Sequence, residues 1–175
     1  ELHAEPLDDP RPLVEELAAT GQFTAIEARW LTRWLDSLAP VALAPVPDRF
    51  LHGDVQSTNV MVHPGSLAYL TLIDWGAATW GDPAFDFAGF PLRAVPMVLA
   101  GHRDIAPVDG NDTAEARILW RHLQLSLWLL RRPPQPGRSW AEQPLGMLIE
   151  VLRFFLEAPG DPWRDLAPPV GEIGP

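Results

Sequence analysis

The sequence predicts a mainly α protein with a small β hairpin, an α+β chain, on three observations. Apolar residues recur at helical spacing over most of the length, two short β-favouring runs flank a Pro-Gly turn, and Pro and Gly punctuate the rest. With 175 residues, 47% of them hydrophobic, the chain can bury one sizeable core and is expected to form a single domain over residues 1–175.

The elements follow in order. Asp9-Pro10 ahead of Leu13, Val14, Leu17 and Ala18 predicts a short Asp-capped helix stopped at Gly21. Thr24-Ala25-Ile26-Glu27 is a capping-box pattern, in which hydroxyl and carboxylate each satisfy a backbone N–H of the first turn. Beyond it Ile26, Trp30, Leu31, Trp34, Leu35 and Leu38 repeat at helical spacing, predicting an amphipathic helix that ends near Pro40 and an extended Pro-rich stretch to Pro47. A short strand then leads into a turn at Gly53-Asp54. Val60-Met61-Val62 and Tyr69 to Ile73 predict a hairpin around His63-Pro64-Gly65-Ser66. Asp82-Pro83 opens a further helix, with Asp as cap. The longest helical pattern runs from Asp112 to Arg132 and carries Ile118, Leu119, Leu123, Leu127 and Leu130. Pro133 to Gly137 forms a stiff connector, and a last helix is expected over about Pro144 to Glu157. Trp30, Trp34 and Trp128 fall on apolar stripes and are expected in the core, whereas Trp75 and Trp80 are pocket candidates.

Composition excludes several classes. There is no Cys, so disulfides, thiol catalysis and Cys-ligated zinc are out. A net charge of −10 argues against nucleic acid; it suits a cationic small substrate, although acidic surfaces chiefly serve solubility. No signal-peptide pattern or membrane-length apolar run is present, so the expectation is a cytoplasmic protein with no membrane contact. The chain opens on Glu1 and its first Met is Met61, which reads as an excised piece.

One stretch carries chemistry: His52-Gly53-Asp54-Val55-Gln56-Ser57-Thr58-Asn59, followed by Ile73-Asp74-Trp75-Gly76. A hydroxyl nucleophile is weak at neutral pH and needs a carboxylate to orient it and take its proton, a role open to Asp54. Mg²⁺ takes hard oxygen ligands, which Asn59 and Asp74 can offer. A carboxylate flanked by apolar residues at a strand end, as Asp74 is, is costly unless something pairs with it. Asp82 reads most simply as a helix cap, and Asp86 would help a helix dipole whatever else it does. His63, His102 and His122 have no ligand-like spacing, and no second His pairs with a His52-x-Asp54 metal motif.

These residues resemble the aminoglycoside phosphotransferase family of small-molecule kinases. The family's catalytic loop is typically HGD, four residues and Asn, here His52-Gly53-Asp54 to Asn59. Its metal segment is an IDW-type run, here Ile73-Asp74-Trp75. Gly81-Asp82-Pro83-Ala84-Phe85-Asp86-Phe87-Ala88 is similar to its GDP-x-x-D segment. The resemblance is strong over about residues 50–90 and rests on three motifs in the family's order. It implies the C-terminal lobe of a protein-kinase-like fold, with ATP or GTP and Mg²⁺ as cofactors. It further implies Asp54 as catalytic base, Asn59 and Asp74 as Mg²⁺ and nucleotide ligands, Asp86 bracing the loop through backbone amides, and His52 packed beneath it.

The other half of such an enzyme has a phosphate-covering Gly-rich loop and a strand Lys. All 13 basic residues here are Arg, and Gly21 is the only Gly before Gly53. The expectation is therefore a catalytic and substrate-binding lobe whose N-terminal nucleotide lobe is absent, inactive alone, that serves ATP-dependent transfer to a small-molecule hydroxyl. In this family the acceptor lies against helices flanking the loop, so the segments Leu13 to Leu38 and after Pro136 become candidate walls. Glu15, Glu16, Glu27, Asp36, Glu142, Glu150 and Glu157 are candidates to meet an amino-bearing acceptor. The alternatives are a non-catalytic kinase-like scaffold or interaction module, and, ranked last, a Mg²⁺-dependent hydrolase. An open cleft face would expose apolar surface, so self-association is expected on the first two readings.

Overall fold

The computed structural model describes residues 9–106, 111–139 and 142–169. It is mainly α with small β elements, in line with the sequence, and divides into two compact units.

The first unit is built within Pro45–Ala114. Strand β1 (Arg49–Leu51) pairs antiparallel with β4 (Thr79–Gly81), and β2 (Val60–Val62) with β3 (Tyr69–Leu72). The second pair is the predicted hairpin, with a bulge between Met61 and Val62. The β1–β4 ladder, by contrast, joins Phe50 to Trp80 across a long stretch of chain and has no local signal. The expected helix after Asp82 is a 3₁₀ segment, Pro83–Phe87, and Asp82 caps it by accepting the Ala84 N–H at 2.8 Å. Helix α3 (Val95–Ile105) was not foreseen, since Pro96 and Gly101 mask its pattern. Pro stands at its first turn, where no N–H is needed. The core of this unit gathers Leu51, Ala84, Phe87, Leu92, Val95 and Leu99.

The second unit draws on Leu7–Ala44 and Glu115–Pro175. Helix α1 (Arg11–Ala19) buries Val14 and Leu17, and Asp9 accepts the Arg11 N–H at its start. The capping box at α2 (Ala25–Ala42) is complete, with Glu27 accepting the Thr24 N–H and the Thr24 hydroxyl accepting the Glu27 N–H. Pro40 does not end this helix as expected but lies within its last turn. Ala39 and Ala42 on either side are buried, and that packing outweighs the single hydrogen bond Pro removes. Helices α4 (Ala114–Leu130) and α5 (Gly146–Leu156) complete the unit; α4, at 17 residues, is slightly shorter than α2, at 18, so it is not the longest. Trp34 is fully buried, meets Phe155 edge-on and donates its indole N–H to the Leu166 carbonyl at 2.9 Å. Trp128 is a correction: it is 44% exposed, with the Arg132 guanidinium 4.4 Å over its ring, because the stripe of α4 that packs is Leu119, Leu123 and Leu127. Among the described residues no helix is long and apolar enough to cross a membrane.

Candidate active site

The loop after β1 turns at Gly53, whose φ of +81° is open to Gly at little cost. A Cβ there would lie 2.1 Å from the Ala77 carbonyl oxygen, so the chain passes too close for any side chain. The turn brings two successive N–H groups to one carboxylate: Asp86 Oδ2 accepts from His52 N and Asp86 Oδ1 from Gly53 N, both at 2.8 Å. Charge-assisted bonds of this kind are stronger than neutral ones and fix both position and orientation.

His52 is buried beneath the loop. Its Nδ1 accepts the Asp54 N–H at 3.3 Å, and its Nε2 lies 2.9 Å from the Ile73 carbonyl oxygen. A carbonyl can only accept, so the ring is the Nε2–H tautomer. One imidazole thereby ties the turn carrying Asp54 to the residue before Asp74. Trp75 packs on the ring at a centroid distance of 4.6 Å and stacks on Phe50, which also meets Trp80. Phe50, Trp75 and Trp80 are each about half exposed, so they form an aromatic surface patch beside the loop.

Asp54 is exposed. Asn59, buried at the end of a 3₁₀ turn (Ser57–Asn59), donates its amide to the Asp54 carbonyl at 2.9 Å and to Oδ2 of the carboxylate at 3.1 Å. The Asn59 carbonyl in turn accepts the Ile73 N–H at 3.0 Å, which sets Asp74 one residue from a direct backbone tie to Asn59. Asp74 is exposed and left-handed, at φ 63° and ψ 65°. The five candidates His52, Asp54, Asn59, Asp74 and Asp86 therefore belong to one connected loop system within one unit.

Two contributors escaped the sequence reading. Gln56 donates its amide to both oxygens of the Asp54 carboxylate, at 3.1 and 3.0 Å; its position between Asp54 and Asn59 was the available hint. Gly89 lets the chain pass against the loop, since a Cβ there would sit 1.7 Å from the Val55 carbonyl oxygen.

Among the described residues no group of three or more His, Asp and Glu side chains gathers as a metal site. Asn59 and Asp74 nevertheless suit Mg²⁺, which is habitually held by one or two protein oxygens while phosphates and water complete its shell. Because the Asn59 amide nitrogen is engaged with Asp54, its oxygen is the accepting end; it takes the Thr58 hydroxyl at 3.5 Å and keeps a second lone pair for a metal.

The acidic candidates for a cationic acceptor are largely taken by their own chain. Glu27 closes the capping box, Asp36 meets Arg11 at 2.9 Å, Glu16 meets Arg131 at 3.0 Å, Glu142 meets Arg138 at 3.1 Å and Glu150 meets Arg153 at 3.4 Å. Glu15 and Glu157 are exposed.

Comparison with known proteins adds a family. Residues 2–115 match the phosphotransferase enzyme family, APH. Human acyl-CoA dehydrogenase family member 11 is 34% identical over 59 residues, which is 31% of this chain and 8% of that protein. Calcium-dependent protein kinase 10 of Arabidopsis thaliana is 26% identical over 159 residues, 89% of this chain and 26% of the kinase. The chain thus spans well under two thirds of these relatives, and no solved structure matches it. The family match covers most of the chain and takes in the whole Asp54–Asn59–Asp74–Asp86 loop system, and the chain belongs to the phosphotransferase enzyme family.

Proposed function

We propose that this chain is the catalytic and acceptor-binding part of an ATP-dependent phosphotransferase acting on a hydroxyl of a small molecule. The observation that carries the reading is the Asp54 carboxylate, exposed yet held by the Asn59 and Gln56 amides on a loop that Asp86 clamps. Phosphoryl transfer asks the protein chiefly for positioning and charge stabilisation, and this loop is built for position.

On this reading the acceptor O–H donates to Asp54, which takes the proton as the acceptor oxygen bonds to the γ-phosphorus and the bond to the leaving ADP breaks. Asn59 and Asp74 would hold Mg²⁺, which when bound offsets phosphate charge. His52 and Asp86 keep Asp54 and Asp74 in place. With no Lys in the chain, the contacts to the nucleotide phosphates on the far side come from a lobe outside these 175 residues. By itself the chain then binds Mg-ATP weakly, and calorimetry showing tight binding would contradict this.

The test is ADP release by the full-length gene product, offered a panel of amino sugars, amino alcohols, hydroxylated acyl compounds and sugars. One acceptor should stimulate release, and Asp54→Asn should abolish the stimulation. A product with no acceptor-dependent ADP release across the panel, and with Asp54→Asn unchanged in every property, would favour the scaffold reading. That reading draws on the exposed Phe50, Trp75 and Trp80 patch, a surface suited to a partner or a second copy.

A further inference from the structure

A cavity of about 620 Å³ opens within the first unit, bordering the catalytic loop. Leu51, Val55 and Asp86 line it, whereas Asp54, Asn59 and Asp74 do not, so it is separate from the phosphoryl-transfer centre. Its size is that of pockets that enclose small organic ligands. Phe50, Phe87 and Phe90 contribute to its walls, so it offers aromatic faces and edges to an occupant. Asp86 and Arg49 both line it, but Asp86 already accepts two backbone N–H groups and the Arg49 guanidinium is engaged within the chain, so neither calls for an ion, and the His102 ring lies edge-on to Phe87.

Gly101 gives the second observation. It lies inside α3, where a glycine weakens the helix, and its φ is not left-handed. Gly101 is exposed, and a Cβ there would meet nothing within 4 Å beyond its own helix backbone, so packing does not require glycine either. Neither backbone conformation nor steric pressure accounts for Gly101. What it does is leave space at the cavity wall it helps to form.

We propose that this cavity is a second binding site, for a neutral flat aromatic molecule, and that its occupancy is felt at the catalytic loop through Asp86. A ligand packed against Asp86 restrains the carboxylate that holds the His52 and Gly53 amides. The site is thereby coupled to Asp54 without touching it.

Indole, a neutral flat aromatic, is a suitable probe for the 175-residue chain. Ligand-observed NMR titration should show saturable binding, and Gly101→Leu should weaken it by about tenfold or more while the thermal midpoint holds or rises. Hydrogen exchange at the His52 and Gly53 amides should slow when indole is added to the unmodified chain and should not change in Gly101→Leu. The proposal is overturned if indole does not saturate, if Gly101→Leu binds it equally well or lowers the midpoint, or if exchange at the two amides is insensitive to indole. None of these readouts involves turnover, so they decide the site independently of the phosphotransferase reading.

Discussion

Asn59 donates one amide group to both the backbone carbonyl and the carboxylate of Asp54, at 2.9 and 3.1 Å, so the residue that closes the loop also aims its acid. Asp54→Asn keeps the shape but removes the proton acceptor. Acceptor-dependent ADP release by the full-length protein should fall about 10²–10⁴-fold, the usual range for a lost general base. The fold should be unaffected, because Asp54 is exposed.

Asp86→Asn tests the clamp. Its carboxylate faces two N–H donors, and an amide can accept from only one of them while presenting a donor to the other. Leaving one such group unpaired costs about 1–3 kcal/mol. The denaturant midpoint should drop, and exchange at the His52 and Gly53 amides should accelerate before that of the helices.

Gly89→Ala should be more disruptive than Gly137→Ala. At Gly89 the new methyl meets the Val55 carbonyl, whereas at Gly137 the φ of +80° strains an alanine but nothing lies within 4 Å. The Gly137 change should cost about 1 kcal/mol, and Gly89→Ala clearly more, because a backbone segment of the loop must move. Thermal unfolding of the two variants side by side checks the order.

Thr24→Ala probes the cap of α2 and its pH dependence. The Glu27 carboxyl is held below its ordinary range, first by the Thr24 N–H and then by the Thr24 hydroxyl. A carboxyl with a lowered folded-state pKa stabilises the fold above its unfolded pKa, and that contribution is lost as pH falls through the folded value. Thr24→Ala should cost about 1 kcal/mol at neutral pH. The difference from the unmodified chain should shrink as the pH falls into the acid range where Glu27 protonates, and urea unfolding at several pH values checks it.

Asp74→Ala should raise the Mg²⁺ concentration needed for half-maximal ADP release, and should do so far more than it changes the acceptor KM. A carboxylate is the stronger of the two protein ligands proposed for the ion. An unchanged Mg²⁺ dependence would remove Asp74 from that role.

Local chemistry was legible. Thr24 and Glu27 announce a helix start because both partners sit within one turn, and the hairpin around Pro64-Gly65 announces itself because its strands are neighbours in sequence. The loop from His52 to Asn59 could be found for the same reason, its groups lying within eight positions. Where packing decides, the sequence misled. Pro40 suggested a helix end, yet burial of Ala39 and Ala42 carries α2 past it, and Trp128 sits on an apolar stripe yet faces outward.

The order of residues by itself determined which acids, amides and turns this protein possesses, because turn geometry and capping depend on neighbours a few positions apart. Only the tertiary structure decided that the Trp34 indole finds the Leu166 carbonyl, that β1 finds β4, and that the space at Gly101 opens beside the loop. Hydrogen bonds and cavities of that kind join segments tens of residues apart, and the packing that brings such segments together is settled through space rather than along the chain.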